Sequence, residues 1–290
     1  MTKIVAELCC NHQGDFDTAK KMIDVLAEFP NEYKVDVIKF QKRTPKIILS
    51  KEEYNRPHPN PQNAFGSTYG AHKEALEFSV NQHRELKKYC EDRGFVYSVS
   101  VFDIYSLKEI LTLNPEMIKI SSANNNDYEL LKYLDENYNG EIHISLGMTT
   151  KNEEQKIFDL IKNNRKNLVI YACTSAYPTE NKDICLLELK RLRKAYGNNI
   201  KAVGFSGHHH GVVPDIAAVA LGAQYIERHF TLDKNMKGTD QYFSLNPKEF
   251  LELSKNISLV NKTLTYKSEE ILEAERSVRN RLKFHGKMPV

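Results

Sequence analysis

The sequence predicts an α/β chain folded as a (β/α)8 TIM barrel with a C-terminal helical extension. Strand-like and helix-like segments alternate about eight times along 290 residues, a length near that typical of such a barrel. The same alternation suits a doubly wound open sheet, but no glycine-rich dinucleotide fingerprint follows the first strand candidate. Ionisable and hydroxyl side chains also recur where predicted strands end, and in a barrel those ends form one face.

Residues 3–10 read as the first strand and residues 16–29 as the first helix. The second strand is VDVIKFQ, residues 35–41. Residues 42–79 are rich in Pro, Asn and His and only weakly periodic, as expected of a functional loop or one ordered by small helices. A helix over 81–93 stops at Gly94, and FVYSVSVF, residues 95–102, is the third strand. Helices over 104–112, 128–137, 151–164 and 184–196 then alternate with strands over 117–122, 141–146 and 167–174. The stretch KAVGFSGHHHGVVPDIAAVALGAQYIERHFTL follows as strand 202–206, histidine-rich turn, small-residue helix 212–223 and strand 224–232. Residues 247–264 are the last barrel helix, which closes a domain of residues 1–265. The remainder, 266–290, is the extension, with a charged helix over 269–281.

A composition of 41% hydrophobic and 27% charged residues is that of an ordinary soluble domain. With 41 basic and 38 acidic residues, the net charge of +3 creates no general field toward nucleic acid or membrane, and neither is expected as a partner. No apolar run reaches membrane-spanning length, and the opening MTKIVAELCC lacks a signal-peptide pattern. The five cysteines, including adjacent Cys9 and Cys10, match neither a disulfide framework nor a zinc motif. A reduced, cytoplasmic setting is expected, with Cys9 and Cys10 as small packing residues.

Neighbouring parallel strands bring their C-terminal ends together, so His208 and His229 should meet on one rim, where two imidazoles can hold a divalent metal. A solvated histidine loop is the bland alternative, and His209 and His210 are expected behind the site or at the surface. Lys39 and Lys119 lie inside apolar strands. Each could reach solvent alone, but together with strand-end serines they suggest a cradle for phosphate or carboxylate. Glu7, a carboxylate in a strand, needs partners or serves as an acid/base. These residues point to a barrel enzyme handling an anionic substrate with a metal.

The same stretches resemble the sialic acid synthases, over roughly residues 4–250. AELCCNHQGD, VIKFQ, IKISSANNND, ISLGM, CTSAYPT, VGFSGHHHG, VALGAQYIERHFTLDK and GTDQYFSL are similar to that family's motifs, in the same order. The resemblance implies condensation of phosphoenolpyruvate with an aldose to give a 3-deoxy-2-ulosonic acid and phosphate. It implies Mn2+, or Mg2+, Co2+ or a similar divalent ion, on His208 and His229, with Glu7 as acid/base. Phosphoenolpyruvate would be held by Lys39, Lys119, Ser122, Ser145, Ser175 and Ser206, and the sugar would meet Asn124, Tyr177 and Asp240. Gly207 stands where the family has aspartate, Asn124 where it has glutamate, and Gln241 where it has histidine. The chain ends about where the family's antifreeze-like domain begins. A different acceptor, unacylated or phosphorylated, is therefore expected, with a homodimer or a separate antifreeze-like partner. A metal-dependent pyruvate aldolase and a non-catalytic or partner-dependent relative are the alternatives.

Overall fold

In the computed structural model, which describes residues 1–283, eight parallel strands close into a barrel in sequence order. They are β1 Lys3–Glu7, β2 Val37–Lys42, β3 Val96–Val101, β4 Met117–Ile120, β5 Glu141–Ser145, β6 Leu168–Cys173, β7 Ala202–Gly207 and β8 Tyr225–His229. Pairing of β8 with β1 completes the ring and sets Glu7 opposite His229. On the other side of β1, Glu7 is opposite Lys39 of β2.

The helices are α1 Phe16–Ala27, α2 Pro45–Ile48, α3 Lys51–Asn55, α4 Tyr69–Ala75, α5 Val80–Glu91, α6 Ile104–Leu111, α7 Tyr128–Asn137, α8 Lys151–Leu160, α9 Glu188–Tyr196, α10 Val213–Ala220, α11 Pro247–Thr263 and α12 Glu273–Leu282. Local sequence starts several of them. Ser79 with Gln82, Thr150 with Glu153 and Asn246 with Glu249 form capping boxes before α5, α8 and α11, satisfying amides that the first turn leaves unpaired. Residues 42–79 are ordered as α2, α3 and α4 with a 3-10 turn at Pro61–Asn63, the small helices expected of so long a connection. Helix α9 begins later than periodicity indicated. Cys185 adopts φ 53°, in the left-handed region, and separates a 3-10 turn at Asn181–Asp183 from the helix proper. Helix α12 starts at Glu273, later than the expected 269, and buries no residue. Among the described residues, no helix is long and apolar enough to cross a membrane.

The core has two parts. Outward-facing strand residues such as Ala6, Ile38, Val99, Ile118 and Phe205 pack against the helices. Inside the barrel, Val5, Val37, Met117, Val169, Tyr171, Ala202 and Tyr225 form a separate apolar cluster. Strand side chains on one face recur every second residue. Two positions beyond Val5, Val37, Met117 and Tyr225 come Glu7, Lys39, Lys119 and Glu227. An apolar floor thus carries an ionic layer, which faces the C-terminal mouth.

Candidate active site

At that mouth lies a cavity of about 230 Å3, whose lining includes Glu7, Lys39, Lys119, Ser122, Ser145, Tyr177, Ser206, His208, Glu227, His229 and Asp240. Residues from most of the barrel strands therefore converge on one space, where a barrel places its chemistry. A roomier crevice of about 540 Å3 at the opposite end, between Thr2, Arg193 and Leu264, gathers no comparable set.

The floor of the cavity is a charge-balanced cluster. Lys119 Nζ donates to Glu227 Oε2 at 3.1 Å and lies 3.6 Å above the Tyr171 ring. Lys39 Nζ pairs with Glu7, stands 3.7 Å from Glu227 Oε1 and donates to Ser100 Oγ at 2.9 Å. Ser206 Oγ donates to Glu227 at 3.1 Å, and the Cys9 amide donates to Glu7 at 2.6 Å. Each of these four charges is at most 7% exposed, so each depends on its partners rather than on water. Burial brings Lys39 down to about 8 and also lowers Lys119, with Glu227 opposing both shifts. Burial would raise Glu227, but Lys119 and Lys39 hold it well below the usual carboxylate range. An arriving anion would find both lysines already held in place by carboxylates.

Beside this cluster, His208 and His229 meet with ring centroids 5.4 Å apart. Burial brings His208 down to about 3 and His229 to about 4, so both rings are neutral near pH 7, as metal ligation requires. His208 Nδ1 lies 3.1 Å from the Thr174 carbonyl, which fixes that nitrogen as the donor and leaves Nε2 with its lone pair. Buried His229 Nδ1 has no hydrogen-bond partner and lies 4.0 Å from Asp240 Oδ2. Ligand atoms of Cys9, His229 and Asp240 all fall within 4.8 Å of one another. An unpartnered imidazole nitrogen among such donors fits a divalent ion.

The hydroxyls form another corner. Gly147 N donates to Ser122 Oγ at 3.0 Å, and a Cβ on Gly147 would sit 2.3 Å from Ser175 Oγ and 2.7 Å from Ser122 Oγ. Only glycine allows both serines so near the backbone there. Tyr177, more than half exposed at the rim, rests on His208 with centroids 4.4 Å apart.

Asn124 is not brought to the cavity. Its amide donates to the Val101 carbonyl at 2.8 Å and its oxygen accepts from Ser121 Oγ at 2.7 Å, so its polar atoms are spent beneath the rim. His209 is likewise turned away, buried against Asp215 and Arg228, while His210 is exposed beside Tyr242. A Cβ on Gly207 would meet the His209 ring at 2.7 Å and Phe205 at 2.9 Å, so His209 occupies the space that a side chain at 207 would need.

Sequence reasoning passed over Glu227, the carboxylate shared by both lysines. The signal was available, because a glutamate in YIERH is as costly in a strand as the lysines of VIKFQ and MIKIS. Gln41 and Arg43 also line the cavity, Arg43 anchored by Glu77. Gln41 is marked by its place at the end of VIKFQ, whereas nothing in the local sequence marks Arg43.

The sequence profile of the NeuB family matches residues 26–269. The chain is 34% identical over 279 residues to N-acetylneuraminate-9-phosphate synthase of Homo sapiens, covering 96% of this chain and 76% of that protein. It is 31% identical over 266 residues to N,N'-diacetyllegionaminic acid synthase of Campylobacter jejuni, covering 91% and 77%. Among solved structures, N-acetylneuraminic acid synthetase from Leptospira borgpetersenii, determined with citrate, superposes with a TM-score of 0.80 at 26% identity, covering 97% of this chain and 92% of that one. With its eight-stranded barrel, its paired lysines and its two histidines, the chain belongs to the NeuB family of phosphoenolpyruvate-dependent nonulosonate synthases.

Proposed function

We propose that this chain condenses phosphoenolpyruvate with a phosphorylated aldose, giving a 3-deoxy-2-ulosonic acid and inorganic phosphate. The observation that carries this reading is the pair of buried lysines, held by Glu7 and Glu227, next to two neutral histidines in one cavity. A phosphate and a carboxylate entering that cavity replace the glutamates as partners of Lys39 and Lys119. Ser122, Ser145 and Ser206 line the cavity and add neutral hydroxyl donors around the anion, with Ser175 packed behind them at Gly147.

His208 and His229 would hold the divalent ion, which supplies Lewis acidity toward an aldehyde oxygen. The C2=C3 electrons of phosphoenolpyruvate form the new bond from C3 to the aldehyde carbon, the aldehyde π pair moves onto its oxygen, and C2 becomes electron-poor. Water adds at C2 as Glu7, freed from Lys39 by the phosphate, accepts its proton and returns it to the former aldehyde oxygen. The C2–O bond to phosphate then breaks as the C2 hydroxyl becomes the ketone and gives its proton to the departing phosphate, whose charge the lysines stabilise.

Tyr177 and Asp240 face the acceptor side, and Arg43 and Lys73 extend the outer wall with positive charge. Lys73, with Arg43 held behind it by Glu77, favours an acceptor that bears phosphate, and the human relative is named for a phosphorylated product. With Asn124 turned away where the family has a glutamate that meets the sugar, and Gly207 lacking the family's aspartate side chain, the altered positions favour an aldose other than N-acetylmannosamine. We expect a homodimer, and sedimentation of the purified chain tests it.

The test is incubation with phosphoenolpyruvate, divalent ions and a panel of aldoses and their phosphates, following phosphate release and product mass together. A new ulosonic acid formed fastest from one phosphorylated aldose supports the reading. Equal turnover of N-acetylmannosamine would refute the altered acceptor. Product formed from pyruvate without phosphate release would indicate an aldolase instead.

A further inference from the structure

Cys9 does more than fill space. Its backbone sits at φ 48°, in the left-handed region that favours glycine, yet the residue carries a side chain and is 4% exposed. The thiol points at chemistry. Sγ lies 2.7 Å from Asp240 Oδ2 and 2.7 Å from Gln41 Nε2. Its donor atom, that of Asp240 and a ring nitrogen of His229 lie within 4.8 Å of one another. Ion–donor distances of about 2.0–2.3 Å put two ligands of one ion no more than about 4.6 Å apart, so small side-chain rotations suffice. The three donors come from separate elements: the turn after β1, the end of β8 and the loop beyond β8. His229 Nδ1, buried without a partner, is an independent sign that something is to be bound there.

We infer that Cys9 is a ligand of the divalent ion, making the site a thiolate, imidazole and carboxylate centre on Cys9, His229 and Asp240 with His208 alongside. The inference rests on the proposed function insofar as that places an ion at the two histidines. It adds a ligand of a different chemical class. On binding, the Cys9 sulfur exchanges its proton for the ion, and the proton leaves to solvent. A thiolate shifts selection from Mn2+ and Mg2+ toward softer ions such as Zn2+ and Co2+. The left-handed backbone at residue 9 then has a purpose, because it accompanies an Sγ placed beside Asp240 and His229.

Cobalt tests this directly. The full chain, stripped with chelator, is titrated with Co2+ while absorption is recorded from the near ultraviolet through the visible. The expected result is a thiolate-to-cobalt charge-transfer band in the wild type and in Cys10→Ser. The band should be missing in Cys9→Ala and Cys9→Gly, with Co2+ affinity weakened at least roughly tenfold. Cys9→Gly suits the left-handed backbone and guards against a folding artefact. Cobalt that binds in a His229-dependent way without that band would overturn the role of Cys9 and leave the histidine site standing. A band that survives Cys9→Gly would overturn it too, and phosphate release on the aldose panel judges the synthase reading separately.

Discussion

Replacing Glu227 with glutamine keeps the shape of the ionic floor and removes the charge that both lysines share. Glu227 Oε2 stands 3.1 Å from Lys119 Nζ, and Oε1 stands 3.7 Å from Lys39 Nζ. At an effective dielectric near 20, those separations correspond to attractions of about 5 and about 4 kcal/mol before desolvation is counted. Breaking a buried pair by removing one partner typically costs about 3–5 kcal/mol, since the remaining cations stay buried. For a chain of this length that is a fall of about 5–8 °C in Tm. Added phosphate should restore more stability to Glu227→Gln than to the wild type, because it meets lysines with no carboxylate to displace. Calorimetry with and without phosphate measures both effects. A loss below about 1 kcal/mol, or equal stabilisation of both proteins by phosphate, would refute the view that Glu227 holds the lysines ready for an anion.

Burial brings His12 and His83 down to about 3 and His143 to about 4, each from an ordinary value near 6.5. The unfolded chain then takes up protons that the native state refuses, so stability is full above about pH 6.5 and falls as pH drops toward 4. The loss is up to about 1.4 kcal/mol per histidine per pH unit. Urea midpoints measured at pH 7 and pH 5 should differ clearly, and a flat profile between them would contradict the burial argument. Gly207→Asp introduces the aspartate that the sialic acid synthase resemblance implies at this position, but drives its Cβ against His209 and Phe205, at an expected cost of about 1–3 kcal/mol. The double variant with His209→Thr should recover much of that loss, and additive costs in the cycle would show that the two positions are uncoupled.

The barrel was legible in the sequence because strand and helix periods are local. The apolar alternation of VIKFQ and MIKIS, the capping boxes before α5, α8 and α11, and Gly94 after α5 act within a few residues of themselves. Lys39, Lys119, Glu7, His208 and His229 could be singled out for the same reason, since a charge in an apolar strand or a histidine at its end is unusual wherever the rest of the chain lies. Closure of the barrel settled what local pattern leaves open. Glu227 becomes the shared partner of two lysines only when β8 comes within reach of β4 and β2. Cys9 and Asp240, 231 residues apart, touch because β1 pairs with β8. Asn124 and His209 lie beside site residues in sequence, yet one is tied to the Val101 carbonyl and the other to Asp215 and Arg228. Which way a polar side chain turns depends on which distant partner satisfies it, and that partner is supplied only by the folded barrel.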